Sequence, residues 1–223
     1  MVFLYNILKN RIRTIQQGQG LVETALLFPV LLVVLSGLLE FGFLLNEYLA
    51  IQDAARNAAR FAADGLYYAQ DNVHDCNSTR DFYRQIACVV NQELAQERPE
   101  ITLNLGNGQD DIIISAFSLL GGGVSGVSDR HPAIYGESGW SEAQDSPGWG
   151  VRNQASLFTS AEISSRMDSS APSTGIILVE VFYEYDHKLK LPWITAFVHD
   201  PLLMHGYTIM PLVSAEPTST PMP

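Results

Sequence analysis

The strongest hydrophobic pattern in the chain is an apolar run near its N-terminus. Sixteen residues, Thr24–Leu39, carry no charged side chain, and Glu23 and Glu40 bracket them. A bilayer core takes about 20 apolar residues in a helix, so a membrane span has to extend past the run and keep at least one glutamate near its edge. Leu21–Leu45 as one helix would be about 37 Å long, which is enough to cross with some tilt. The pattern therefore predicts a transmembrane helix over residues 19–45.

Helical periodicity continues beyond the apolar run. Asn46–Asp64 places Ile51 and a series of alanines at helical spacing, and Gly65 follows as a helix end. A second helix is predicted over Thr79–Gln96, behind a capping-box spacing of serine and aspartate. We expect this second helix to bury one apolar face, formed by Phe82, Ile86, Val89, Val90 and Leu94.

Strand patterns occupy the second half of the chain. Ile101–Leu105 and Ile112–Leu119 flank a Gly-Asn-Gly turn signal, which predicts a β-hairpin. Gly175–Lys188 alternates over a length that suits a central strand. Tyr207–Ala215 is the last predicted strand, and Pro211 within it indicates an edge strand or a bulge.

Together these elements predict an α+β fold. A long N-terminal helix, half in the membrane and half outside it, packs on an antiparallel sheet of about four strands. The predicted organisation is a basic leader, a transmembrane helix, an extracytoplasmic α+β domain and a disordered tail, over residues 1–18, 19–45, 46–217 and 218–223.

Two segments between the predicted strands carry weaker patterns. Thr159-Ser-Ala-Glu162 has capping-box spacing and predicts a short helix. Residues 131–156 are rich in Gly, Ser and Trp, and their arrangement is the least predictable part of the chain. Trp140 and Trp149 in this segment either form a partner surface or fold back on the sheet, and we favour the second interpretation.

The charge distribution predicts which side of the membrane each part occupies. Residues 1–18 carry three basic side chains, and no acid precedes Glu23, so the positive-inside tendency places the N-terminus in the cytoplasm. The rest of the chain has ten Lys and Arg against 24 Asp and Glu, which argues against nucleic-acid binding. An ordinary secretory signal is disfavoured, because its apolar region spans about 7–15 residues and ends at a small-x-small site.

The sequence offers little reactive chemistry. Cys76 and Cys88 lie twelve residues apart without a Cys-x-x-Cys pair, which disfavours a zinc site. Outside the cytoplasm they can form a disulfide worth about 2–4 kcal/mol, and two free buried thiols are the alternative. We interpret Asp186-His187 and His199-Asp200 as surface pairs. No phosphate-binding loop, nucleophile elbow or H-E-x-x-H motif is present, so we expect no enzyme, no cofactor and no metal site.

The N-terminal region resembles a known family. Gly18-Gln-Gly-Leu-Val-Glu23 resembles a type IV prepilin processing site, with a basic leader, a glycine at the cut and a glutamate at the fifth following position. More narrowly, the chain resembles the TadE-like pseudopilins of tight-adherence (Flp-type) pilus systems. The stretches that carry this are GLVETALLFPVLLVVLSGLLEFG, NAARFAADG and the C-terminal EVFYEYDHKL and MPLVSAEP.

The resemblance implies a role for individual residues. Gly18 would precede the cut made by a prepilin peptidase, Gln19 would be the new N-terminus, and Glu23 would be the acid used in recognition and assembly. Thr24 replaces the Tyr that follows the Glu in the short major pilins of this system, and with the greater chain length this points to a minor subunit.

Three residues of the apolar helix have a physical interpretation of their own. A carboxylate facing hydrocarbon is usually paired, so Glu23 either pairs with the N-terminus of a neighbouring subunit or is a helix-start residue among the headgroups. Pro29 removes one helical hydrogen bond and should loosen the helix. Glu40 either pairs with another subunit's helix along a small-residue face or reaches the outer interface.

The sequence therefore predicts a non-enzymatic minor pilin-like subunit for tight-adherence pilus assembly. Its expected partners are the prepilin peptidase, other pilin-like subunits and the membrane, with no nucleic acid. It would lie in a bacterial cell membrane as a single-pass protein, with the C-terminal domain outside. The alternative is an uncleaved single-pass protein whose outer domain is an adhesin-like binding module.

Overall fold

The structure is a computed structural model that describes residues 2–64, 82–106, 108–119, 127–145, 150–167 and 175–212, with side chains described from Gly20 onward except at 127 and 128. The predictions made for Gly65, Cys76, Trp149 and the tail lie outside these residues. The chain divides into two compact units, one formed by Met1–Leu44 with His187–Asp200 and the other by Leu45–Asp186 with Pro201–Pro223.

Six helical segments and five strands make up the described chain. The helices are α1 (Val2–Ala63), α2 (Phe82–Glu97), a 3-10 helix (Ala133–Ser138), α3 (Glu142–Asp145), α4 (Ser160–Ser165) and α5 (Pro192–Thr195). The strands are β1 (Asp111–Leu119), β2 (Val127–His131), β3 (Trp140–Ser141), β4 (Ile176–Tyr185) and β5 (Leu202–Pro211). The long N-terminal helix and the antiparallel sheet confirm the predicted α+β fold.

The sheet is antiparallel and centred on β1 and β4. Its strand order is β2-β1-β4-β5, and the short β3 also pairs with β1. Asp111 lies opposite Phe182 and Phe117 opposite Ile176, so β1 and β4 pair over most of their lengths. The predicted central position of β4 and the edge position of the last strand are both confirmed.

The predicted hairpin of Ile101–Leu105 with Ile112–Leu119 is wrong, although the second of these segments is a strand. Ile101–Leu105 forms no strand, although Ile101 and Leu105 are both buried. Instead the Asp110 carboxylate accepts from the Asn104 N–H at 2.7 Å and from the Glu184 N–H at 2.6 Å. The Asp110 side chain thus accepts from the Asn104 N–H, which a hairpin partner would have satisfied. Strand β1 pairs instead with strands distant in sequence.

One face of the sheet packs against the C-terminal part of α1. Gly206 of β5 lies opposite Val181 of β4, and a Cβ atom at Gly206 would lie 3.2 Å from Ile51 Cγ1. Ile51 is fully buried, and so are most of the alanines that follow it, Ala54, Ala55, Ala58, Ala59 and Ala62. Small side chains allow this close approach, and burial of a side chain such as Ile51 contributes about 1.5–3 kcal/mol.

Helix α2 buries the apolar face predicted for it, with Phe82, Ile86, Val89, Val90 and Leu94 all buried. Asn57 of α1 donates to Glu93 of α2 at 3.1 Å. Tyr83 of α2 stacks on Trp140, with ring centroids 6.0 Å apart. Trp140 is itself buried, which confirms that this tryptophan folds back on the sheet.

The opposite face of the sheet is covered by residues from 132–145 and 150–167. Phe158 and Ile163 pack on Phe117 and Leu178 there. The predicted capping box is confirmed, since the Thr159 hydroxyl accepts from the N–H of Glu162 at the start of α4. Both faces of the sheet are therefore covered, which explains why almost every residue of β4 is buried.

Three charged side chains of the sheet hold this covering segment. The Asp111 carboxylate accepts from the Ser141 hydroxyl at 2.7 Å and from the N–H groups of Ala143, Asn153 and Gln154. The Glu180 carboxylate accepts from Ser156 and Leu157. Arg130 donates to the Phe158 carbonyl at 2.7 Å and to Ser115 at 2.7 Å. Each buried charge is satisfied, as burial requires.

Replacing Gly139 by Ala should test how tightly this segment is held. Gly139 has φ 73° and ψ 176°, and an added Cβ would lie 2.4 Å from Ser115 Oγ. Gly136 has φ 53° and ψ −135° but open space around it. We expect Gly136→Ala to lower the free energy of unfolding by about 1–2 kcal/mol through backbone strain. Gly139→Ala should cost about 1–3 kcal/mol more through the clash.

The measurement for this pair is chemical denaturation of the full chain in detergent, followed by tryptophan fluorescence. Gly136→Ala is the matched control, because it carries the strain without the contact. Equal losses for the two variants would contradict the close approach of Gly139 to β1.

The stability of the second unit should fall as pH rises toward neutrality. Burial raises the pKa of Glu142 from 4.5 to about 7, with the Asn91 amide opposing the shift and Asp111 adding to it. The folded chain then holds a proton that the unfolded chain has released between these values. The free energy of unfolding therefore decreases with pH in this window, by at most about 3 kcal/mol.

Glu142→Gln isolates this contribution, because an amide at this position keeps the Asn91 contact (2.9 Å in the structure) and cannot ionise. Denaturation midpoints measured from pH 4.5 to pH 8 should be flatter for the variant. Parallel pH profiles for the two proteins would show that Glu142 ionises freely in the fold.

Candidate functional site

The residues predicted for processing and assembly all lie on α1. Gly18 and Gln19 fall within its helical backbone. Glu23 is exposed, and no described residue forms a hydrogen bond or ion pair with it. The helix continues through Pro29 without an interruption, so the proline is accommodated in a helical run rather than ending it.

The part of α1 from Gly20 to Leu45 exposes a large apolar surface. Leu21, Leu26, Leu31 and Leu38 are each more than 60% exposed. Among the described residues, Gly20–Ala63 is the one helix long and apolar enough to cross a membrane. Exposure of this apolar surface to water is unfavourable, whereas contact with lipid hydrocarbon is not. The helix therefore fits a membrane location.

The hydroxyl groups of Thr24 and Ser36 in this apolar part donate to carbonyl groups of the helix itself. Thr24 donates to the Gly20 carbonyl at 2.9 Å, and Ser36 donates to the Val33 carbonyl at 2.9 Å. Such bonds to the preceding turn leave no unpaired hydroxyl in an apolar medium. These two polar residues are therefore compatible with a membrane-spanning helix.

Glu40 differs sharply from Glu23, because its carboxylate is buried and fully engaged. It is 4% exposed. Its Oε1 atom accepts from the Lys188 N–H at 2.8 Å and lies 3.1 Å from His187 Nδ1. Its Oε2 atom accepts from the Leu189 N–H at 2.9 Å. Both oxygens of Glu40 therefore hold the start of the segment 187–200 against α1.

His187 completes this contact, and its predicted position on the surface is wrong. The residue is 1% exposed, and its Nε2 atom lies 3.2 Å from the His199 carbonyl oxygen. Both ring nitrogens thus lie within hydrogen-bond distance of an oxygen atom. The Glu40 carboxylate, the His187 ring and the backbone of residues 187–189 therefore form one buried polar cluster.

The segment 187–200 makes a second contact with α1 through its tryptophan. Trp193, in α5, donates from Nε1 to the Ser36 hydroxyl at 3.1 Å. Between the segment and α1 lies an apolar pocket of about 390 Å³, lined mainly by Val33, Phe41, Leu44, Ile194 and Phe197. No group of described residues is arranged to hold a metal ion, so the arrangement is one of packing and charge pairing.

The sequence shows both residues of this contact, but their spacing does not predict that they meet. Glu40 is an acid at the end of an apolar run, and His187 lies at the end of the predicted strand Gly175–Lys188. The two residues are 147 positions apart, so no local pattern links them. Each residue could be noticed by itself, Glu40 as an acid near hydrocarbon and His187 as a basic residue at a strand end. Their pairing depends on the fold.

Glu40→Gln should loosen the segment 187–200. The amide keeps one acceptor for two backbone donors, so one buried N–H of the segment loses its partner, which costs about 1–3 kcal/mol. We expect the backbone amides of Lys188 and Leu189 to exchange with deuterium about tenfold to hundredfold faster, as measured by mass spectrometry on the full chain in detergent.

Glu23→Gln is the matched control, because it neutralises an exposed carboxylate on the same helix. It should leave exchange in 187–200 unchanged. Unchanged exchange in Glu40→Gln as well would show that the carboxylate does not hold the segment.

Comparison with known proteins gives one match. No curated protein and no solved structure matches the chain. Residues 18–60 match the family model described as TadE-like protein. This range begins at Gly18, includes Glu23, Pro29 and Glu40, and ends in the helix that packs on the sheet. The match suggests a membrane protein associated with a Tad pilus, from a structural family rather than an enzymatic one. The predicted resemblance is confirmed over residues 18–60, which are similar to the TadE-like family, and the C-terminal stretches quoted for it lie outside the match.

Proposed function

We propose that the chain is a minor pilin-like subunit of a tight-adherence pilus system, cleaved after Gly18 by a prepilin peptidase. The observation that carries the proposal is the TadE-like match over residues 18–60, which coincides with an exposed apolar helix. The helix anchors the subunit in the cell membrane and contacts other pilin-like subunits there. The α+β unit is carried outside the cytoplasm.

Glu23 is the residue best suited to an intermolecular contact. It lies at the start of the exposed apolar surface, and none of the described residues pairs with it. Glu40, by contrast, is satisfied within its own chain. A carboxylate in or near hydrocarbon needs a positive partner, and cleavage after Gly18 would create one, the free amino group of Gln19 on a neighbouring subunit.

The glycines of α1 support contacts between helices. A Cβ atom at Gly37 or at Gly42 would meet nothing within 4 Å, so both positions leave room for close approach of another helix. Together with Pro29, which membrane helices tolerate when neighbours satisfy the freed carbonyl, these positions favour a helix that packs within an assembly. We therefore extend the predicted assembly role to these positions of α1.

The proposed topology agrees with the basic leader and with the cysteines. Residues 1–18 carry the basic side chains expected on the cytoplasmic side. Cys88 is disulfide-bonded, as suits an oxidising compartment. Its predicted partner Cys76 lies outside the described residues, so the pairing remains part of the proposal.

Mass spectrometry of the mature protein tests the proposal directly. Expressed with a prepilin peptidase of a tight-adherence system, the chain should begin at Gln19. Gly18→Val should block cleavage, whereas Gly20→Val is the matched control, since the helix has open space for a side chain at Gly20. An intact Met1 in the wild-type chain would contradict processing and favour the uncleaved, adhesin-like alternative.

Glu23→Ala separates assembly from processing. Loss of a charge-assisted contact worth about 1.5–3 kcal/mol should lower the amount of subunit in sheared pili by about tenfold to hundredfold. Asp53→Ala is the control, because it removes an exposed carboxylate from the same helix. Normal incorporation of cleaved Glu23→Ala would show that this carboxylate has no part in assembly.

A further inference from the structure

The segment 191–198 is unusually apolar and exposed for a connection between two strands. Its sequence is LPWITAFV, with no charged residue. Phe197 is 91% exposed, Trp193 41% and Val198 37%. Large apolar groups exposed together in this way usually mark a contact surface. In this chain they occupy the same compact unit as the apolar half of α1.

The position of the segment along α1 is fixed by its hydrogen bonds. Trp193 donates to Ser36, and Lys188 and Leu189 donate to Glu40. If the hydrocarbon core begins near Leu21, a helix rise of 1.5 Å per residue brings its far side, about 30 Å away, to the level of Glu40. The segment therefore lies at the outer boundary of the span.

The side chains of the segment match the chemistry of that boundary. Tryptophan is enriched where acyl chains meet headgroups, because its ring is apolar and its N–H is polar. Lys188 and Lys190 lie just before residues 191–198 and are exposed. Their charges suit lipid phosphates. The apolar pocket of about 390 Å³ between α1 and the segment would be filled by acyl chains rather than by water.

We infer that residues 191–198 insert into the outer leaflet of the membrane at the boundary between acyl chains and headgroups. The chain then contacts the bilayer at two places, with α1 crossing it and the segment lying in its outer surface. Glu40 fixes the depth of the second contact through its hydrogen bonds to Lys188 and Leu189. The inference rests on the proposed function, since it requires that α1 span the membrane.

Depth-dependent fluorescence quenching tests this inference. Phe197→Cys is labelled with an NBD group in the full chain, which is reconstituted in vesicles of phosphatidylcholine and phosphatidylglycerol. The exposed position of Phe197 makes the substitution harmless to packing, and the wild-type chain, with Cys88 in a disulfide, serves as the blank. We expect brominated lipids to remove most of the fluorescence and aqueous iodide to remove little.

Two matched positions calibrate the result. Leu31→Cys, 63% exposed in the middle of the apolar run, should be quenched by brominated lipids. Ile134→Cys, 68% exposed in the other unit, should be quenched by iodide. A Phe197 label that behaves like the Ile134 label overturns the inference while the Leu31 label still supports the membrane span. A Leu31 label quenched by iodide overturns both the span and this inference.

Coverage of the segment by a second copy of the chain is the remaining outcome. In that case the Phe197 label would be shielded from both quenchers, and dilution of the protein in lipid would expose it. That result overturns insertion into the lipid. Quenching by brominated lipids at every protein-to-lipid ratio supports it.

Discussion

Buried carboxylates that accept from backbone N–H groups hold several of the irregular segments that the structure describes. Glu40 holds the segment 187–200, Asp111 holds the turns after β3, and Glu180 holds the chain ahead of α4. In each case a side chain on a regular element accepts from backbone N–H groups that no ladder or helix satisfies. Acids on helices and strands thus hold these loops in place through hydrogen bonds.

Helix α1 works in two environments, and its composition changes accordingly. Its first half exposes leucine and valine side chains, and its second half buries alanines together with Ile51. Large aliphatic groups favour hydrocarbon as surroundings, whereas alanines permit a helix to approach a sheet closely. One continuous helix can therefore join an anchor to a folded unit without a linker.

The sequence predicted the elements whose signals are local. The apolar run, the buried face of α2, the central strand β4 and the cap at Thr159 all follow from periodicity or from spacing within one turn. The hairpin at Ile101 failed because Asp110 captured donors that the turn signal assigned to a strand. The segment 132–158 and the contact of Glu40 with His187 were not predictable, since each depends on side chains that meet only after the sheet has formed.

The edge strand β5 carries a feature that bears on how copies of this chain can join. The side-chain amide of Gln52 donates to the Tyr207 carbonyl at 2.7 Å and accepts from the Tyr207 N–H at 3.3 Å. The helix thereby imitates a neighbouring strand at the middle of an edge that would otherwise offer its backbone to any extended peptide. With Pro211 at the end of the strand, the addition of a further strand along this edge is obstructed.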